Sequence, residues 1–128
     1  MWPTENTSLE IKNLENYILV QSKRRVIFFD IIRSIAQLFT MSAYKEKDDM
    51  WVFGNGDVDC LYSDLHEIEN FIKQHYPKKA TGRRTAVVVK NHRQLELVEN
   101  YIPISKELPR ATKIFSNFDS AYSWIANV

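Results

Sequence analysis

One cysteine, three glycines and four prolines in 128 residues set the first limits. A lone thiol, Cys60, closes no internal disulfide and supports no zinc cluster, which fits a reducing compartment such as the cytosol. Seven glycines and prolines among 128 residues are too few for collagen-like repeats, low-complexity linkers or glycine-rich phosphate cradles. Charge of one sign is also missing. Seventeen Lys and Arg stand against 16 Asp and Glu, a net +1, so no broad field draws the chain to nucleic acid or an anionic membrane. The longest apolar stretch, 26–39, is interrupted by Asp30, Arg33 and Gln37. It falls short of the roughly 20 apolar residues that a membrane span needs. The first eight residues carry no basic segment followed by an apolar one, so they do not read as a signal peptide. The expectation is a cytoplasmic protein without integral membrane association.

What is present describes one folded domain. The chain is 45% hydrophobic and 26% charged, without an internal repeat. At this length it buries roughly two-thirds of its unfolded surface. We expect a tail at 1–7 and a single domain at 8–128. Polar and apolar residues alternate over 8–12 and, less cleanly, over 17–21, which predicts a β-hairpin. Ile31, Ile35, Leu38 and Phe39 fall on one helical face within 30–42. The polar run 44–49 reads as a solvated connection. A short buried strand follows at 50–53, stopped by Gly54-Asn55-Gly56.

The second half is clearer. Leu65, Ile68 and Ile72 predict a helix over 63–76, with Ser63 as its cap and Pro77 as its stop. Residues 85–89, Thr-Ala-Val-Val-Val, are small or β-branched without alternation, the pattern of a parallel strand covered on both faces. Leu95, Val98, Tyr101 and Ile102 mark a helix before Leu108-Pro109, residues 112–115 a last strand, and Phe118, Ala121, Tyr122 and Ile125 a closing helix capped by Asn117. The order ββα-βα-βα-βα predicts an α/β domain: a mainly parallel sheet of about five strands, with right-handed crossovers and an N-terminal antiparallel hairpin.

The C-terminal half carries a family resemblance. A basic strand entry (Gly82-Arg83-Arg84) runs into Thr85-Ala86-Val87-Val88-Val89, then come a helix to Leu108-Pro109 and the run Ile114 to Ile125 with Phe115, Asp119, Ala121, Trp124 and Ile125. This ending resembles that of the small SpoIIAA-like (STAS-type) bacterial proteins. The likeness extends over 8–126 in element order and over 82–125 in residue detail. It implies the SpoIIAA-like fold and a regulatory, protein-binding role. Two positions depart from the family pattern. Gly54 stands where the family often has an aspartate after the central strand. Tyr62-Ser63-Asp64 replaces the aspartate-serine-serine-glycine turn that carries the phosphorylated serine of anti-anti-sigma members.

The candidate sites are few, and each has a plain structural alternative. Ser63 is a possible phospho-acceptor at a helix N-terminus, where dipole and free N–H groups favour added negative charge, or simply a cap. Gly54, Asn55, Gly56, Asp57 and Asp59 form a possible ligand or partner loop at the carboxyl end of a central strand, where open α/β sheets bind ligands. They lack EF-hand spacing, since position twelve from Asp57 is Ile68. Lys78, Lys79, Arg83 and Arg84 are basic, as are Lys90, His92 and Arg93. A strand of roughly 17 Å separates the two groups, so no nucleic-acid surface is expected. His66, His75 and His92 have no metal spacing, and no phosphate loop, nucleophile elbow or paired-carboxylate signature occurs. No catalytic residue, metal or cofactor is assigned, and a hydrolase at Asp57, Asp59 and Cys60 would rest on location alone. Trp51 and Trp124 read as core. Tyr17, Tyr44, Tyr62, Tyr76, Tyr101 and Tyr122 are too scattered for a stacking platform.

The leading expectation is therefore a non-enzymatic regulatory or interaction domain that binds a protein, or a second copy of itself, through the surface around Ser63 and the first helix. The alternative is a module for a small apolar, lipid-like ligand. The related lipid-transfer fold holds such a ligand between sheet and helices, and the run Val26, Ile27, Phe28, Phe29 supplies apolar surface for it.

Overall fold

A computed structural model describes residues 8–78, 80 and 82–125. The tail at 1–7, with Trp2, and Lys79 of the basic run lie outside the described residues. The elements are β1 (Leu9–Asn13), β2 (Tyr17–Ser22), β3 (Val26–Ile27), α1 (Phe28–Thr40), β4 (Asp48–Val52), β5 (Val58–Asp59), α2 (Tyr62–His75), β6 (Arg84–Val88), α3 (His92–Ile104), β7 (Ala111–Phe115) and α4 (Phe118–Ile125). Short 3-10 turns at Ser42–Lys45 and Ser105–Glu107 complete them.

The architecture is α/β, as the element order predicts. Five strands form one mixed sheet in the order β1-β2-β4-β6-β7. The β1–β2 hairpin is antiparallel and the remaining pairs are parallel. Each parallel crossover advances one strand in the same direction, and a constant hand then puts α1, α2 and α3 on one face. Pleat alternation divides the side chains accordingly. Ile18, Val20, Trp51, Phe53, Val87 and Val89 face the three-helix layer. Tyr17, Leu19, Met50, Ala86 and Val88 face α4, which contributes Ala121 and Ile125. The run over 85–89 is thus buried on both faces, which is why it shows no alternation.

Several boundaries differ from the sequence expectation, and the short strands β3 and β5, which pair in a second sheet, are additional to it. The first helix starts at Phe28, not Asp30, because its N-cap is the apolar Ile27. The cap signal lies instead at the third helical position: the Asp30 carboxylate accepts from the Ile27 N–H at 2.9 Å and from Ser8 Oγ at 2.6 Å. The solvated connection over 44–49 is also corrected. Tyr44, Asp48 and Asp49 are buried, and β4 begins at Asp48. Their burial depends on partners distant in sequence, described below. Asn117 does cap α4, accepting from Ser120 N–H at 2.8 Å. Of the four apolar residues that mark α4, Ala121 and Ile125 are buried, whereas Phe118 and Tyr122 remain partly outside. No described helix is long and apolar enough to cross a membrane.

Candidate functional site

In a parallel sheet, the carboxyl ends of the strands and the N-termini of the following helices share one end of the molecule. That end holds the 54–59 loop. Val26 and Ile27 pair in parallel with Val58 and Asp59, which turns this loop toward the start of α1. The loop is pinned rather than free. The Gly54 N–H donates to Ser22 Oγ at 2.7 Å, and the Gly54 and Gly56 carbonyls accept from Gln94 Nε2 at 2.7 and 3.0 Å. Gln94 is 2% exposed, and its Oε1 also accepts from the Lys90 N–H. Gly56 is required by close approach: a Cβ there would lie 2.6 Å from the backbone of Arg24 and Arg25. Asp59 pairs with Arg25, and Asp57 stands 3.8 Å from Arg93. The loop's backbone polar groups are therefore engaged in holding the fold, and Asp57 and Asn55 are its exposed side chains.

Ser63 is the second residue of α2, not its cap. Leu61 occupies the cap position, and the Asp64 carboxylate accepts from the Leu61 N–H at 2.8 Å. The α2 start thus copies that of α1, with an apolar cap and an aspartate three residues on. Ser63 is left exposed with no structural duty. Around it the two helix starts leave large apolar side chains in solvent: Ile27 is 39% exposed, Phe29 65%, Leu61 70% and Tyr62 61%.

The most developed geometry lies elsewhere. Between the sheet and the three-helix layer is a cavity of about 130 Å³. Its walls are apolar, with Ile31, Ile35, Leu38, Ile68, Val87 and Val98 prominent. The run Val26 to Phe29, expected to supply apolar surface for a ligand, does not line it: Phe29 points to solvent and Val26 is sealed in the core.

One end of the cavity is polar, at the N-terminal end of the parallel strands. Arg110, 6% exposed, donates through Nη1 to Asp49 Oδ1, and Asp49 is 2% exposed. The same carboxylate accepts from Thr85 Oγ1 at 2.6 Å and from Trp51 Nε1 at 2.9 Å. Arg110 also donates to the Tyr76 hydroxyl at 3.1 Å and to the Tyr44 carbonyl at 3.1 Å. Its guanidinium lies 3.9 Å from the Tyr44 ring centroid, a cation–π contact. Burial opposes the Arg110 charge, but Asp49 foremost, then the Tyr44 and Tyr76 side chains, raise its pKa above the ordinary value. Burial, followed by Asp49, likewise pushes the Tyr44 phenol up. Tyr101 lines the same cavity, its phenol raised by burial and then by Glu69 and Asp49, and its hydroxyl takes no partner among the described residues.

Sequence reasoning missed this centre. The polar composition of 44–49 conceals Asp49, and nothing in the local sequence marks Arg110. Two of the tyrosines that are scattered in sequence, Tyr44 and Tyr76, meet in space and pack with Phe39 at centroid distances of 5.3 to 6.0 Å. They form an interior aromatic cluster, not an exposed platform. The basic run is likewise structural, in part. Arg84 pairs with Asp48 at 3.1 Å and stacks over Trp124, and Arg83 donates to the Glu46 carbonyl at 2.8 Å. Among the described residues no group of three or more His, Cys, Asp or Glu side chains gathers at metal-binding distance. Comparison with protein-family models, with curated proteins and with solved structures finds no match to this chain.

Proposed function

We propose that the chain is a non-enzymatic interaction domain of SpoIIAA-like (STAS) type, which docks a protein partner or a second copy through the paired N-termini of α1 and α2. The observation that supports this reading is the exposed set Ile27, Phe29, Leu61 and Tyr62. Side chains of this size scattered singly need no explanation, but four grouped at one end mark a contact surface. Ser63 directly follows Leu61 and Tyr62 and is itself exposed. A phosphate there would add up to two negative charges at a helix N-terminus, beside Asp64, and so switch the surface from apolar to anionic. The test is native mass spectrometry and sedimentation of gently purified protein, with Phe29→Ser and Leu61→Ser beside the parent chain. A stoichiometric partner or homodimer that both substitutions disrupt supports the reading. A parent chain that is strictly monomeric and without partners refutes it.

A second reading has its own observation. The cavity of about 130 Å³ has almost wholly apolar walls, and an engineered cavity of about 150 Å³ with apolar walls takes benzene. On this reading the chain is a binding module for a small, largely apolar molecule held between sheet and helices. Extraction of native protein followed by mass spectrometry should return a bound compound of that size. A cavity that neither carries a compound nor takes up benzene or xenon would refute it.

A further inference from the structure

The interlayer cavity has a neighbour. A second hollow of about 180 Å³ lies beside it, where β5, the start of α2 and one side of α3 meet. Cys60, Leu65 and Leu97 line both hollows and are all that they share. The two differ in chemistry. The inner one is walled by aliphatic side chains, and its charges, Asp49 and Arg110, satisfy each other. The outer one presents Arg93, Glu96, Asn100 and Tyr62. An apolar chamber behind a polar antechamber, with a wall of three side chains between them, matches a molecule that is itself divided into an apolar body and a polar head.

We propose that the two hollows form one site for a monocarboxylate amphiphile, with the carboxylate at Arg93 and the apolar body in the inner cavity. The inference rests on the cavity reading given above and extends it to a headgroup and a residue. The inner volume sets the body at about six carbons, by comparison with the benzene-sized engineered void. One or two methylenes more would run between the shared side chains Cys60, Leu65 and Leu97 into the outer hollow. The inner cavity cannot take the charge, because an ion there would be desolvated with no free counter-charge. The outer one can. Arg93 forms an ion pair with the exposed Asp57 at 3.8 Å, too long for a hydrogen bond, so its N–H donors stay available to a carboxylate. Its fork of donors is matched to a carboxylate. The Tyr62 hydroxyl and the Asn100 amide line the same space as neutral donors. Glu96, the one acid lining it, lies 3.7 Å from His92 Nε2.

The experiment is calorimetric titration of the full chain with octanoate, and with octanol as the neutral compound of equal body. Saturable, one-to-one octanoate binding is expected, and Arg93→Gln should weaken it about tenfold, the worth of one charge-assisted hydrogen bond, while leaving octanol unchanged. Leu97→Trp, which fills the shared wall, should abolish binding of both compounds with the melting transition retained. If Leu97→Trp does not fold, Arg93→Gln at its exposed position carries the test alone. Octanol binding without octanoate binding, or octanoate affinity unmoved by Arg93→Gln, overturns the carboxylate assignment and leaves the cavity reading standing. Saturable binding of neither compound overturns both.

Discussion

Replacing Asp49 by Asn tests the buried centre most directly. The substitution keeps size and shape but removes the counter-charge of a guanidinium that is 6% exposed. Arg110 cannot escape by losing its proton, since its pKa already lies above the ordinary arginine value. The uncompensated charge should cost about 3–5 kcal/mol, the range for breaking a buried pair from one side. The remaining oxygen can still accept from Trp51 or Thr85, which holds the loss near the lower end. Urea unfolding measures it: with a slope of about 2 kcal/mol per molar, a loss of 3–4 kcal/mol moves the midpoint down by about 1.5–2 M. The slope itself should not change. The companion variant, Asp49→Leu with Arg110→Met, removes both charges together. It should recover part of the loss, because a buried pair replaced by apolar groups of similar volume is close to neutral, while the Thr85 hydroxyl and the Trp51 N–H lose their acceptor. A loss below about 1 kcal/mol for Asp49→Asn, or a double variant no more stable than Asp49→Asn alone, would refute the claim that the pair is held in a dry interior.

The remaining predictions concern the pinned loop and the titrating groups. Gly56→Ala should lower stability by about 1–3 kcal/mol in thermal or urea unfolding, since its Cβ would lie 2.6 Å from the Arg24 and Arg25 backbone; an unchanged midpoint would refute the close approach. Gln94→Leu strips partners from the Lys90 N–H and from the Gly54 and Gly56 carbonyls and should cost about 2–3 kcal/mol, with faster amide exchange at Lys90 as its local signature. Burial, then Asp64 and Asp59, pushes the Cys60 thiol up to about 12 from an ordinary 9.0, so its reaction with a disulfide reagent at neutral pH should be tens of times slower than in the unfolded chain, the lost thiolate fraction being offset in part by the greater nucleophilicity of a higher-pKa thiolate. The folded chain holds Cys60, Tyr44 and Tyr101 protonated where the unfolded chain ionises them. Stability should therefore fall as pH rises past 9.0 and 10.0, and a flat alkaline limb in urea midpoints would contradict it.

How legible the molecule is depends on how far each signal travels along the chain. The hairpin, the doubly covered β6 and the Asn117 cap are local: alternation, an unbroken β-branched run, and a side chain reaching its own helix three residues on. Those could be read. The apolar caps Ile27 and Leu61 hid the true starts of α1 and α2, because the informative residue was the aspartate at the third position and not the cap. The polar centre could not be read locally at all. Asp49 and Arg110 are 61 residues apart, and the acid sits in a run, Tyr-Lys-Glu-Lys-Asp-Asp, whose composition is that of a solvated loop. One signal was available. Residues 49, 51 and 53 alternate onto one face of β4, and Trp51 and Phe53 identify that face as core. A carboxylate in register with two buried aromatics requires a cation or several donors to remain there. Strands that run parallel enter the sheet at the same end, so the search for that cation narrows to the basic residues just ahead of β6 and β7: Arg83 and Arg84, or Arg110. Arg84 is taken by Asp48 on the other face of β4. The register of one strand thus leads to the residue that composition conceals, and it leads there through the requirement that a buried charge be paired.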